Sequence, residues 1–208
     1  MNNKHQYTID RCAILIIAAG ESKRLGTPKQ LLKIEEESML NRLINMVQNT
    51  VQFPIYLVLG ANADLIKAQL PNSELNLVEN LYWQEGMGSS IRIGVQEIMK
   101  NSIKHDGILV LVCDQPYLNK ASILSLLALQ NATKAPITAA YYAQIAGTPA
   151  LFHESVFPEL LSLKGDTGAK KIIQERAAEV AKLQFENGVL DIDTKEDYQQ
   201  LLKEVIYK

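Results

Sequence analysis

Apolar runs of strand length alternate with amphipathic segments in this chain, and this alternation constrains its fold most. The run over residues 14–18 is followed by Ile55–Leu59 and then by Gly107–Val112, none of which contains a charged residue. Such uninterrupted runs are typical of strands that are buried on both faces. Because helical patterns separate them, the chain is predicted to form a mostly parallel, doubly wound α/β sheet.

The second half of the chain is less regular. We predict three strands there, added to one edge of the sheet with an antiparallel orientation as one option: residues 137–142, 147–152 and 180–185. One helix is expected to begin near Asp166. Another follows Thr194, which has Asp197 three residues later in the pattern of a capping box. No repeat or linker divides the chain, so one domain over residues 1–208 is expected.

The composition of the chain limits the kinds of molecule that it is expected to bind. The 208 residues are 47% hydrophobic and 21% charged, with a net charge of −2. This near-neutral charge gives no support for nucleic-acid or membrane-surface binding. The polar start of the chain lacks a signal-peptide pattern, and the two cysteines form no Cys-x-x-Cys pair. We therefore expect a cytoplasmic protein without nucleic-acid or membrane partners.

The loop that follows the first strand carries two glycines and two cations. Gly20 and Gly26 allow sharp turns, and Arg24 and Lys29 offer positive charge to phosphate oxygens. A backbone that turns in this way can also surround an anion with its N–H groups. The pattern favours nucleoside triphosphate binding, although a solvated loop with incidental cations is the alternative.

Two acidic residues, Asp114 and Asp193, are candidates for metal binding. Asp114 comes directly after the run Gly107–Val112 and Cys113, at the sheet edge where ligands bind in open α/β folds. A carboxylate there is suited to Mg²⁺, which takes one or two carboxylates together with substrate phosphates. A turn-forming Asp before Gln115-Pro116 is the alternative. Asp193 is either a second metal ligand or part of the turn that starts the last helix.

Two further segments have polar residues where helices begin. The first could contact a base or an anion, or simply cap its helix; it contains Asn80, Gly86, Ser89 and Ser90. The second contains Asp166 and Lys170 and suits another phosphorylated ligand, with a capped surface helix as the alternative. Among the histidines, only His153 stands out as a candidate.

Six segments, in this order, resemble those of the molybdenum-cofactor cytidylyltransferases in the MobA-like nucleotidyltransferase group. They are AAGxSxRxGxPK at 18–29, NxxWxxGMxxS at 80–90, DQP at 114–116, GxP at 147–149, GDxGA at 165–169 and DIDT at 191–194. The resemblance implies a three-layer Rossmann-like fold whose mostly parallel sheet contains an antiparallel strand. It also implies transfer of CMP from CTP to the terminal phosphate of molybdopterin, with release of pyrophosphate.

The resemblance also assigns roles to residues. Arg24, Lys29 and Asp114 would be catalytic, and Mg²⁺ would be held by Asp114, with Asp193 as a second candidate. Nucleotide contacts would come from Ala18, Ala19, Gly20, Glu21, Ser22, Arg24, Lys29, Asn80, Gly86, Ser89 and Ser90. The acceptor pocket is expected in the second half of the chain, independently of the resemblance, with Gly147, Pro149, His153, Asp166 and Lys170 as its candidate contacts. CTP is preferred over GTP because guanylyl-transferring relatives usually have two glycines where this chain has Ala19-Gly20.

Two other functions stay open at this point. The same chemistry could serve a sugar or polyol phosphate acceptor. A protein that delivers molybdenum cofactor to a recipient molybdoenzyme without catalysis belongs to a different class, but such a protein has no need for a metal at an α-phosphate.

Overall fold

A seven-stranded sheet lies at the centre of the computed structural model, which describes residues 7–206. In chain order the strands are β1 (Cys12–Ala18), β2 (Lys33–Ile34), β3 (Glu37–Ser38), β4 (Ile55–Leu59), β5 (Asn76–Glu79), β6 (Gly107–Val112), β7 (Ile137–Tyr142), β8 (Ile145–His153) and β9 (Val180–Gln184). The large sheet has the order β5-β4-β1-β6-β8-β7-β9, and β2 pairs with β3 in a separate hairpin. The polar start at residues 1–6 lies outside the described residues.

The helices cover both faces of this sheet. They are α1 (Met39–Gln48), α2 (Ala63–Lys67), α3 (Met87–Lys100), α4 (Lys120–Thr133), α5 (Phe157–Leu161), α6 (Lys170–Glu175) and α7 (Lys195–Ile206). Alternate residues of β1 enter different cores: Leu15 packs with α3, α5 and α6, whereas Ile16 packs with α1, α2 and α4. The resulting three layers confirm the predicted α/β architecture. Within the described part of the chain, no helix has the length and apolar character needed to cross a membrane.

Strand direction confirms a mostly parallel sheet with an antiparallel strand. Within the large sheet, β8 alone runs antiparallel to its neighbours, and β7 and β9 are parallel to each other. The reason is local: Ala143 and Gln144 both have positive φ, which is typical of a tight turn between two strands of a hairpin. Of the three strands predicted for the second half, only β8 is therefore antiparallel.

Side chains cap the starts of α1, α4 and α7. The Ser38 side chain accepts a hydrogen bond at the start of α1, and Asn119 does the same for α4. The predicted capping box is present, because the Thr194 N–H donates to Asp197 (2.7 Å) and the Asp197 N–H donates back to Thr194 Oγ1 (3.2 Å). The helix expected near Asp166 begins only at Lys170.

Candidate active site

Lys29 and Arg24 contact the two acidic residues for which metal binding is predicted. Lys29 Nζ lies 2.8 Å from Asp114 Oδ2 and 2.8 Å from Asp193 Oδ1. Arg24 Nη2 lies 2.6 Å from Asp193 Oδ2. A backbone hydrogen bond from Ile192 to the Asp114 carbonyl (3.0 Å) holds the two acidic segments together. Four predicted residues from three distant parts of the sequence thus form one cluster at the carboxyl edge of the sheet.

The charges of this cluster stabilise one another. Burial alone would lower the pKa of Lys29, but Asp114 and Asp193 raise it above its ordinary value. Burial would likewise raise the pKa of Asp193, and the hydrogen bonds and charges of Lys29 and Arg24 bring it below its ordinary value. Lys29 and Asp193 are therefore both ionised at neutral pH.

One carboxylate oxygen of the cluster is well suited to a metal ion. Asp114 Oδ1 is buried and has no hydrogen-bond partner among residues 7–206. Among residues 7–206, no group of three or more His, Cys, Asp or Glu side chains forms a metal cage. Mg²⁺ needs no such cage, because it binds through one or two carboxylates and otherwise through phosphate and water oxygens. Asp114, with Asp193 beside it, therefore fits a metal that is shared with a phosphorylated substrate.

Asp191 is an additional acidic residue that the site prediction leaves out. Partial burial and then the charges of Asp114 and Asp193 raise its pKa to about 6. Its spacing of two residues from Asp193 places both carboxylates on one side of an extended segment, so the sequence did contain a signal for it.

Asp191→Asn should increase the free energy of unfolding at pH 7, by up to about 1 kcal/mol because the side chain is only partly buried and solvent screens its charge. The sign follows from the raised pKa: between pH 4 and 6 the folded protein binds the extra proton, so the contribution of Asp191 to wild-type stability falls as pH rises through this window. Urea denaturation of both proteins in chelator at pH 4, 5, 6 and 7 measures the effect. A variant advantage that is largest at pH 4 would contradict this assignment.

A cleft of about 460 Å³ opens beside the loop that follows β1. One wall is made of Ala19, Gly20, Glu21, Ser22 and Lys23, and the facing wall of Trp83, Gln84, Gly86, Met87, Ser90 and Asp166. Trp83, which was not among the predicted site residues, packs closely on the turns after β1 and β4. A Cβ atom at Gly60 would lie 2.6 Å from Trp83 Cβ and 2.8 Å from the Ala19 carbonyl oxygen, so only glycine fits there.

Asn80 and Ser89 lie behind the cleft and do not line it. Both are fully buried, and Asn80 Nδ2 donates to Ser89 Oγ (2.8 Å) and Ser90 Oγ (2.9 Å). Asn80 Oδ1 accepts from the Tyr82 N–H (2.9 Å). The contacts of Asn80 therefore shape the segment that forms the cleft wall, and of the predicted residues in this segment only Gly86 and Ser90 line the cleft.

The residues predicted to bind the acceptor lie in different parts of the structure, with Gly147 and Pro149 towards the Asp114 end of β6 by the strand register. Asp166 lines the same cleft as the loop, Lys170 is exposed at the start of α6, and Gly147 and Pro149 are buried in β8. His153 pairs with Gly107 at the other end of β6, roughly 20 Å from Asp114 by strand geometry. Because β8 is antiparallel, its last residue lies at the opposite edge of the sheet. The prediction of His153 as an acceptor contact is therefore corrected.

Gly86→Ala is expected to lower the free energy of unfolding by about 2 kcal/mol, because its backbone conformation is essentially restricted to glycine. Gly86 has φ 103°, and an added Cβ would lie 2.3 Å from Asp166 Oδ1 and 2.6 Å from the Gly165 carbonyl. Chemical denaturation checks this, with Gly20→Ala as the control because a Cβ there meets no atom of the described residues within 4 Å. Equal destabilisation by both substitutions would contradict the explanation.

The family model described as MobA-like NTP transferase domain matches residues 14–180. The chain belongs to this family. Both its fold and its family are those of nucleotidyltransferases, as predicted from the motifs.

Three relatives that carry different names are each similar to this chain over most of its length. The nicotine blue oxidoreductase of Paenarthrobacter nicotinovorans is 28% identical, with 90% of this chain and 95% of that protein covered. The purine catabolism protein PucB of Bacillus subtilis is also 28% identical, over 88% and 92%. A probable molybdenum cofactor guanylyltransferase of Bacillus mycoides is 22% identical, over 95% and 98%.

Solved structures show the same fold. A homologue of Mycobacterium tuberculosis Rv0371c from Mycobacterium sp. strain JC1 has a TM-score of 0.80 and 29% identity, with 96% of this chain and 99% of that chain covered. Rv0371c itself, described as a complex with manganese, has a TM-score of 0.75 and 26% identity over 93% and 98%.

Proposed function

We propose that this chain transfers CMP from CTP to the terminal phosphate of molybdopterin or molybdenum cofactor, releases pyrophosphate and uses Mg²⁺. The observation that carries the proposal is the position of Lys29 Nζ, 2.8 Å from Asp114 at the carboxyl edge of the sheet. The glycine-containing loop and the cleft of about 460 Å³ lie at the same edge. A triphosphate bound along this edge would contact Arg24 and Lys29. It would also lie beside Asp114, whose Oδ1 has no hydrogen-bond partner among the described residues.

The reaction requires alignment of the acceptor phosphate with the α-phosphate of CTP and neutralisation of the phosphate charges. An oxygen of the acceptor phosphate attacks the α-phosphorus of CTP, and the bond from that phosphorus to the bridging oxygen of the β-phosphate breaks. The acceptor is already an oxyanion, so no strong general base is required. Lys29 would neutralise the α-phosphate and Arg24 the departing pyrophosphate.

To reach the phosphates, Arg24 and Lys29 must both break their ion pairs with carboxylates of the cluster. For Arg24 this costs little, because its side chain is 69% exposed and exposed ion pairs contribute little stability. Lys29 is 14% exposed and bridges two carboxylates, so its release depends on the competing charge of the substrate. Mg²⁺ held by Asp114, with Asp193 as second candidate, would supply positive charge to the phosphates.

The molybdenum cofactor as acceptor is supported by the Bacillus mycoides relative, named as a probable molybdenum cofactor guanylyltransferase. That name makes GTP the main competitor of CTP. The preference for CTP depends on Ala19-Gly20, since guanylyl-transferring members of the group usually have two glycines there. The manganese complex of Rv0371c supports the use of a divalent cation by this chain.

Pyrophosphate release measured with CTP, GTP and ATP, each with and without molybdenum cofactor, tests the proposal. We expect release with CTP that depends on the cofactor and is abolished by chelator. Release with a sugar or polyol phosphate as acceptor would replace the proposed acceptor. Binding of CTP and molybdenum cofactor without any pyrophosphate would point to delivery of the cofactor to a recipient molybdoenzyme and contradict the enzyme assignment.

A further inference from the structure

We propose that Gln30 is a positioning residue, which holds the loop of residues 18–29 in the conformation that presents Lys29 and the loop backbone to the nucleotide. This inference rests on the proposed function. Gln30 follows the last residue of the AAGxSxRxGxPK motif and is not among the residues assigned a role above.

The side chain of Gln30 connects the two ends of the loop. Gln30 is 1% exposed, and its Nε2 donates to the carbonyls of Ala18 (2.8 Å) and Gly20 (3.0 Å). Ala18 is the last residue of the central strand β1, whereas Gly20 lies in the wall of the cleft. One amide group therefore fixes the backbone on both sides of Ala19.

The orientation of this amide follows from its neighbours. Two carbonyl oxygens face one end of the Gln30 amide, so that end must be the N–H₂ donor. The opposite atom, Oε1, is buried and has no hydrogen-bond partner among the residues that the structure describes. Burying an unpaired oxygen is unfavourable, and an apolar side chain of the same size would avoid this cost. Compared with such an apolar side chain, glutamine contributes two donated hydrogen bonds.

These contacts also determine where Lys29 lies. The Lys29 N–H donates to Ser22 Oγ (3.0 Å) in the middle of the loop, whereas the neighbouring Gln30 contacts Ala18 at the start of the loop. Since Gln30 is tied to β1, the backbone of Lys29 is held at a fixed distance from the sheet edge where Asp114 lies. A loop arranged in this way before substrate arrives avoids an ordering cost on binding.

Gln130 provides a matched control within the same chain. It is 2% exposed, and its Nε2 donates to the Tyr7 carbonyl (2.7 Å) from α4, away from the cleft. The substitutions Gln30→Met and Gln130→Met both replace a buried amide by an apolar side chain of similar length. Three quantities are compared with wild type: the melting temperature, hydrogen exchange of a peptide covering residues 18–29 without nucleotide, and the CTP dissociation constant from calorimetry.

We expect similar changes in melting temperature for the two variants, but faster exchange in the loop and about tenfold weaker CTP binding for Gln30→Met alone. Unchanged loop exchange in Gln30→Met, or equal losses in Gln130→Met, would overturn the positioning role. A wild-type protein that binds no nucleotide would overturn the proposed function, while the exchange comparison would still decide whether Gln30 holds the loop.

Discussion

Asp114→Asn is expected to lower nucleotidyl transfer about 10²- to 10³-fold while the chain keeps its fold. Asparagine has nearly the same shape but lacks the negative charge that a divalent cation requires. The Asp114 side chain is only 21% exposed, and its Oδ1 accepts no hydrogen bond from the part of the chain that the structure describes, so this oxygen is left for a metal ion. Rates of pyrophosphate release at saturating CTP measure the loss, and circular dichroism checks the fold.

Asp64→Asn is the matched control for this substitution, because its side chain is fully exposed on α2. We expect wild-type turnover for the control. Turnover of Asp114→Asn within a few-fold of wild type would remove Asp114 from the mechanism, whatever the control does.

Lys29→Met is expected to reduce turnover by a similar factor and, in addition, to destabilise the protein by about 2 kcal/mol at pH 7. Methionine matches the length of lysine but leaves Asp114 and Asp193, both 2.8 Å from Lys29 Nζ, as neighbouring carboxylates without a bridging cation. Their partial exposure keeps the cost below that of a fully buried pair. Denaturation curves and turnover are both needed to see the two effects.

A double variant separates stability from catalysis. Asp193→Asn added to Lys29→Met removes the repulsion, so we expect stability to recover while turnover stays low. Lys100→Met, at an exposed ion pair of α3, controls for loss of a lysine. Recovery of turnover in the double variant would mean that Lys29 serves only to stabilise the cluster.

Local patterns explain which parts of the fold were predictable. The strands β1 and β6 are continuous apolar runs, and Ser38, Asn119 and Thr194 cap helices through contacts within a few residues. The turn at Ala143 and Gln144 pairs β8 with β7, but the position of β8 inside the sheet also depends on long-range pairing with β6, which no local pattern encodes. That missing topology led to the wrong placement of His153.

The candidate site, like the fold, was predictable only where patterns in the sequence determine it. Arg24, Lys29, Asp114 and Asp193 lie together because they follow strands or precede a helix at one edge, which the α/β pattern implies. Burial was not predictable, so Asn80 and Ser89 were expected at the nucleotide although they are enclosed. Gln30 lacked any sequence signal, because only the folded loop brings two carbonyls to its amide.

A crystal structure with a non-hydrolysable CTP analogue and Mn²⁺ tests the central claim most directly. We predict an anomalous peak for the metal about 2.1 Å from an Asp114 carboxylate oxygen and from phosphate oxygens, with Lys29 Nζ moved onto the triphosphate. A triphosphate bound elsewhere, with Lys29 still between Asp114 and Asp193, would contradict it.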